Sequence, residues 1–587
     1  MVSSGKNKKK NNLCQFFPGK TGSKKNDVRD SSIIDLAENV KNESQKFLSR
    51  ELDVVSSPNF GKMRFLAFCL LAAGILMVIF YSWFGSREEN KTWLTGSRKC
   101  LTVAVPCDLV DLDPAADTNS LSSQVLSPVF DTLVKIEDGT IMPNLAKSWT
   151  SSADRKIWTF NLRSEVYFHN GEKLSAQIVV NWIERLISGK DRRFAFFRAN
   201  FDGERPVLAE VKSLNEQTVQ FVLNYPCADF LELMAAPTMA VTVCAKGADG
   251  SEKVYGSGPF TIIERRIGQR LTLRSTSGCW RGKPVLGEIV FMVIPDPQSR
   301  VRELERGNVD VILTLPADKI EKVKKNKDLQ LIKPKTLTKL SLIPNCTHRP
   351  FNDVRGRLAL GFAIPRKTVL QLFFGGRGQV CHTLFSPLSW AQVPSKLQPE
   401  YSTVKAKRIF GRMYGNGSEF GKLTLLYCRN AYAAADLEPT AEFLASCLNS
   451  AGLNIELYGA APEGYRRSLS SNLYDLCLLA EEVSACDPSL EANRMLADPG
   501  GVYDEYNIYN YSSQRILRLL EAARSTENRR ERLDCYKAVR AKLDNDGMEF
   551  SICWTDLVHA CQKNIYGLDS DRWGVLHFEN AVIRQVE

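Results

Sequence analysis

Residues 65–84, FLAFCLLAAGILMVIFYSWF, form a run of 20 residues without a charge. At about 1.5 Å of rise per residue, a helix of that length reaches about 30 Å, the thickness of a bilayer's hydrocarbon core. Tyr81 and Trp83 stand at its far end, where interfacial aromatics anchor a span. No polar stripe interrupts the run, so it predicts one transmembrane helix rather than a buried core helix. Lys8, Lys9, Lys10, Lys62 and Arg64 precede it, while Arg87 after it is offset by Glu88 and Glu89. The positive-inside rule then puts residues 1–64 in the cytoplasm and residues 85–587 outside. A cleaved signal peptide fits less well, because its apolar region usually runs only ~7–15 residues and lacks so long a leader. Phe68 occupies the position where lipidation of Cys69 would need a small residue.

The remainder is ordinary globular chain. Of 587 residues, 44% are hydrophobic and 24% charged, and the length implies several domains or lobes. The net charge of +11 is unevenly placed: residues 1–64 carry 13 Lys+Arg against 7 Asp+Glu, and the rest carry 64 against 59. The body is thus nearly balanced, and no nucleic-acid partner is expected. Residues 1–64, rich in Lys, Asn and Ser, read as a disordered basic tail. Gly19-Lys20-Thr21 ends a phosphate-loop pattern, but Cys14 stands where its first Gly belongs, which argues against nucleotide binding.

From Cys100 onward, strand and helix patterns alternate. CLTVAVP (100–106) reads as a strand. In KIWTFNLR (156–163), Trp158, Phe160 and Leu162 alternate with Ile157, Thr159 and Asn161, the period-two pattern of a half-buried strand. Asn170-Gly171 reads as a tight turn. Ser175 is then a plausible N-cap for a helix with an apolar stripe of Val179, Ile183, Leu186 and Ile187. Segments 271–275 and 288–294 read as strands, and 299–313 as a helix ended near Gly307, then a strand. Segments 354–364 and 441–453 read as helices, and 514–543 as two helices around a polar break. The class is α/β.

An ordered set of motifs carries a family resemblance. The central stretch is PNLAKSWTSSADRKIWTFNLRSEVYFHNGEKLSAQIVV (143–180). Around it, in order, lie LDP (112–114), VFDTLV (129–134), GSGPF (256–260), RELERGNVDV (302–311), VRGRLALGFAI (354–364), YDLCLL (474–479) and NYSS (510–513). Over about residues 98–587 the chain resembles family 5 extracytoplasmic solute-binding proteins, the oligopeptide- and dipeptide-binding components of ABC importers. The resemblance implies a periplasmic-binding-protein type II clamp that closes by hinge motion and holds an extended peptide as an added strand. It implies a discontinuous first lobe (98–133, 255–345 and 551–587), an extra lobe (134–254) and a second lobe (346–550).

The family's cleft is lined by the turn after the first strand, here 107–114, which makes Asp108 and Val110 candidates for ligand backbone contacts. The second wall is AEEVSACDP (480–488). Peptide binders of this family commonly carry a Trp near Ala480 and an Asp four residues before the Pro that pairs with the peptide's α-ammonium. Here that position is Ser484, and the Trp is absent. A serine supplies no opposing charge, so Glu481 or Glu482 is the candidate to take over. Trp390, the last residue of the Pro-containing segment SPLSW (386–390), is a further candidate for the cleft.

Nothing in the sequence points to catalysis. His169, His348, His382, His559 and His577 show no metal-ligand spacing, no HExxH occurs, and no CxxC is present. His169 reads as a turn histidine. Of 16 Cys, fourteen lie beyond the apolar run, and their pairing is not readable. The expected protein has no cofactor and is no enzyme. It is anchored in the cytoplasmic membrane with its body outside, binds a peptide, and delivers it to ABC permease subunits. The rival readings are a receptor or scaffold that kept the binding fold, favoured by the long tail and the altered 480–488 segment, and a binder of a non-peptide solute such as a nickel complex.

Overall fold

The computed structural model describes residues 100–584, apart from 117–119, 138, 189–205, 247–251, 381, 415–420, 433–435, 485–486, 490 and 493–508. The predicted tail (1–64) and membrane span (65–84) lie outside the described residues. Residues 96–587 form one compact unit.

Three sheets organise that unit. The first has seven strands, in the order Phe260–Arg266, Arg270–Ser275, Glu288–Val293, Cys100–Val105, Val311–Ile312, His559–Gln562 and Leu329–Ile332. Cys100–Val105 runs parallel to both of its neighbours, and the flanking pairs are antiparallel. A parallel strand is covered on both faces. Accordingly, Leu101, Val103 and Val105 join one apolar cluster with Phe291 and Phe578, while Ala104 joins another with Ile312 and Leu304 on the opposite face.

The second sheet has five strands, in the order Ile455–Ala460, Leu423–Cys428, Leu476–Ser484, Thr336–Pro344 and Ser551–Asp556. Its largest core packs Leu340, Leu425 and Leu478 against the helices Val354–Ala363, Glu438–Ser450, Gln514–Arg524 and Arg529–Asn545. These helices match the expected segments. The polar break between the last two ends at Asn528, whose side chain caps the next helix by accepting the N–H of Arg530 at 3.0 Å.

The third sheet is antiparallel: Ala146–Ser151, Ile157–Leu162, Thr218–Leu223 and Leu208–Asn215. Trp158, Phe160 and Leu162 are buried as the alternation requires, while Ile157 faces solvent. Phe160, Phe221 and Phe230 meet tilted or edge-on at 5.6–6.4 Å. The helix Ala176–Ser188 covers this core with Val179, Ile183 and Leu186.

An ion pair links the loop after the first sheet's strand Cys100–Val105 to the helix that covers the third sheet. Arg185 Nη1 meets Asp113 Oδ2 at 2.7 Å. His169 is fixed to the carbonyl of Gly258 at 2.9 Å, and burial lowers its pKa, so it does structural work in a turn. Gly256 and Gly258, expected as hinge or turn glycines, serve close backbone approach: a Cβ on Gly256 would stand 2.0 Å from the carbonyl oxygen of Val129.

The expected lobe boundaries at 345/346 and 550/551 shift. Strands Thr336–Pro344 and Ser551–Asp556, assigned to the first lobe, are hydrogen-bonded into the second sheet beside Leu476–Ser484. The chain therefore changes sheet between Ile332 and Thr336, and returns between Asp556 and His559. The first crossing is Lys333-Pro334-Lys335 and the second Leu557-Val558, each too short to stand out in the sequence as a linker.

Candidate functional site

In α/β sheets, ligands bind beyond the carboxyl ends of parallel strands, and here those ends of the two large sheets converge. Cys100–Val105 runs out into residues 106–114. From the second sheet, Leu423–Cys428 runs out toward Tyr432, which is buried in the first lobe's apolar cluster with Leu109 and Leu313. Thr314 donates its hydroxyl to the Tyr432 carbonyl at 2.5 Å. The backbone N–H of Thr314 points at His559 Nδ1, 3.0 Å away, so Nδ1 accepts and Nε2 carries the proton toward the Tyr432 hydroxyl at 3.3 Å. Burial pushes His559 down to about 3, which keeps the ring neutral.

Glu482 is the most unusual group in this region. It lies near the end of Leu476–Ser484, two residues before Ser484, and is buried at 8% exposure. Its Oε1 accepts the Thr336 hydroxyl at 2.6 Å, while Oε2 is buried without a hydrogen-bond partner. Burial pushes the carboxyl up to about 7, against the Thr336 and Ser120 hydroxyls, which favour its charge; the Asp571 carboxylate adds to the rise. The segment around Gly574, from the final part of the first lobe, closes over it. Gly574 has φ +81°, and a Cβ there would stand 2.3 Å from Glu482 Oε1. Gln124 fixes that segment by bonding the Gly574 carbonyl at 2.6 Å and the Leu576 N–H at 2.9 Å. A buried carboxylate oxygen without a donor is costly, and a cationic group brought in by a ligand removes that cost.

The other expected residues are dispersed. Glu481 is half-buried and pairs in register with Lys339, while Glu482 pairs with Thr338; successive residues of a strand face opposite sides, so the two glutamates point to opposite faces of the sheet. Ala480 packs against the second lobe's core. The Ser484 backbone ends the strand opposite Thr336. Asp108 has both carboxylate oxygens engaged: Oδ2 accepts the Gly268 N–H at 2.7 Å and Oδ1 that of Leu109 at 2.8 Å. Val110 is exposed. Trp390 lies under the guanidinium groups of Arg529 and Arg532 at 5.4 and 5.3 Å, which makes it a brace for the helix Arg529–Asn545.

Between the lobes, beside the crossings, lies a cavity of about 560 Å³ lined by Asp296, Thr314, Arg377, Asp436 and Asp556 among others, within the size range of small-ligand pockets. Among the described residues, no three His, Cys, Asp or Glu converge as a metal centre, and no helix among them is long and apolar enough to cross a membrane.

The model of the bacterial extracellular solute-binding proteins, family 5, matches residues 140–496, more than half of the chain. The chain belongs to this family. It is 30% identical to the nickel-binding periplasmic protein of Escherichia coli (strain K12) over 324 residues, which cover 53% of this chain and 60% of that one. To the dipeptide-binding protein of the same organism it is 23% identical over 488 residues, covering 78% and 89%. A dipeptide-binding protein from Pseudoalteromonas sp. SM9913 in complex with Met-Leu shares the fold with a TM-score of 0.75 at 19% identity, covering 83% of this chain and 100% of that one. The fold of this family 5 chain is thus that of a type II periplasmic binding protein, with mixed α/β lobes.

Sequence reasoning missed Tyr432, His559, Thr336 and Gly574. The quoted motifs do not include them, and sequence separations of 92 residues or more leave no local signal.

Proposed function

We propose that this chain is a membrane-tethered extracytoplasmic solute-binding protein that closes on a peptide and delivers it to an ABC permease. The observation that carries this reading is the buried, half-satisfied carboxylate of Glu482 at the meeting of the lobes. It takes the place of the carboxylate missing at position 484 from two residues earlier on the same strand. The peptide's α-ammonium donates to Glu482 Oε2, and the rest of the extended peptide bonds through its backbone as an added strand. Capture and release are non-covalent and need no catalytic residue. The tether rests on the apolar run 65–84 and its flanking charges.

The test is isothermal titration of the purified full chain with short peptides in two forms, N-terminally free and N-acetylated. Micromolar or tighter binding of the free form, with at least tenfold weaker binding of the acetylated form, is the expected result. Equal affinity for both would remove Glu482 from the role. The 30% identical relative named as nickel-binding supports a second reading, capture of a nickel complex. Heat on adding nickel with histidine, and none with peptides, selects it. No binding of either, with partner capture through residues 1–64, selects the receptor reading.

A further inference from the structure

Where the third lobe meets the second, polar contacts cross between bodies that belong to opposite jaws of the clamp. Arg524, at the end of Gln514–Arg524, holds Asp229 with two bonds, Nε to Oδ1 at 3.2 Å and Nη2 to Oδ2 at 2.9 Å. Both side chains are buried, at 4% and 0% exposure. One step away, the Ala228 N–H donates to the Arg524 carbonyl at 3.0 Å. On the short helix Phe230–Ala235, Glu232 Oε2 accepts the Asp487 N–H at 2.6 Å. At the solvent edge, Arg155 pairs with Glu527 at 2.9 Å.

All of these contacts are made by the chain's own groups, and none is made by a residue of the 333–336 or 556–558 crossings. We infer that the third lobe is a ligand-independent clasp that holds the second lobe in the closed position, and that protonation of Glu232 tightens it. Asp229 and Arg524 are desolvated and paired here, and parting the lobes returns both to water. Asp229 resists protonation, because the Arg524 charge and hydrogen bonds more than offset its burial. Glu232 is the responsive group. It faces the Asp487 carboxylate of the second lobe, Arg572 of the first lobe's final segment at 3.8 Å, and Asp229 of its own lobe; Arg532, which holds Asp487, stands behind. Burial and Asp487 push Glu232 up to about 7, against the pull of Arg572. An opened clamp re-solvates Glu232 and returns it toward the usual carboxylate range. The closed form therefore binds the proton more tightly. Closure is favoured below that ordinary range and loses this support as pH rises through about 7.

The test is hydrogen exchange of the ligand-free full chain, read by mass spectrometry at pH 8 and pH 6 and corrected for intrinsic rates. The amides of Ala228 and Asp487 report the two lobes' contact directly, and those of residues 101–105 serve as the folding control. The expected result is protection at both reporters without ligand, rising about tenfold from pH 8 to pH 6, and E232Q protected equally at both pH values with residues 101–105 unchanged. Unprotected reporters in the folded, ligand-free chain would overturn the clasp. Protection in E232Q that still rises at pH 6 would overturn the role of Glu232. Small-angle scattering gives a second reading: the ligand-free chain should be as compact as the closed structure at pH 6.

Discussion

Lys333 and Asp556 meet at 3.0 Å where the chain crosses between its large sheets. Lys333 lies where it leaves the first lobe, Asp556 where it returns, and the pair ties the two crossings side by side. Asp556 stands opposite Leu337 in the adjacent ladder, so the ion pair links the first crossing to the end of the returning strand.

That position predicts a small energetic role. Both side chains are solvent-accessible, and such pairs contribute about 0–1 kcal/mol. Lys333→Ser should change the unfolding free energy in urea by less than about 1 kcal/mol. A loss above about 2 kcal/mol would show that the crossing depends on the charge.

The ammonium site predicts a selective defect. Glu482→Gln should weaken binding of peptides with a free N-terminus at least tenfold and leave N-acetylated peptides unchanged, measured by calorimetry. Ser484→Asp should strengthen the former. With Glu232→Gln as background, which removes the clasp's own titration, affinity for the free form should rise as pH climbs from 5 to 8, because Glu482 must lose its proton. A flat profile would count against the pairing.

The same glutamate predicts a pH-dependent stability change in the ligand-free chain. Its folded pKa of about 7 lies above the ordinary carboxylate value of 4.5. A carboxyl shifted upward favours the fold below its unfolded pKa and loses that contribution as pH rises through the folded one. Glu482→Gln should therefore match the parent near pH 4 and exceed it at pH 8, by up to about 3 kcal/mol. Urea titrations at the two pH values decide it, and an equal offset at both would contradict the burial argument.

A steric prediction concerns the junction of the first and third lobes. A Cβ on Gly256 meets the Val129 carbonyl oxygen at 2.0 Å and a ring carbon of Phe130 at 2.7 Å. Backbone cannot step aside as a flexible side chain can. Gly256→Ala should cost at least about 2 kcal/mol, and a thermal midpoint equal to the parent's would show that the junction yields.

Local chemistry explains what the sequence made readable. Trp158, Phe160 and Leu162 declared a strand because a period of two needs only neighbours along the chain. Asn528 and the polar residues before it declared a helix break for the same reason. The crossings at 332–336 and 556–559 were not readable, because a strand's composition does not say which sheet it joins. The site was half legible. Strand alternation puts Glu482 and Glu481 on opposite faces, and that much follows from the sequence once the strand is known. The neighbours that bury and raise Glu482, Asp571 and the Gly574 segment among them, arrive from elsewhere in the chain. Asp108 illustrates the converse: an acidic turn residue in the right loop, whose oxygens are consumed by the Leu109 and Gly268 amides.

The placement of His559–Gln562 bears on how the protein is made. This strand lies between Val311–Ile312 and Leu329–Ile332 in the first sheet. A nascent chain that has produced residues 100–550 already holds every strand of the second and third sheets except Ser551–Asp556, yet its first sheet lacks the sixth of its seven strands, the one that joins Leu329–Ile332 to the rest. Two apolar strand edges then wait for a partner more than 200 residues downstream, an exposed state prone to pairing with other chains. The lobe that begins first in synthesis is the one completed last, and a ribosome stalled before residue 559 would release a chain with that seam still open.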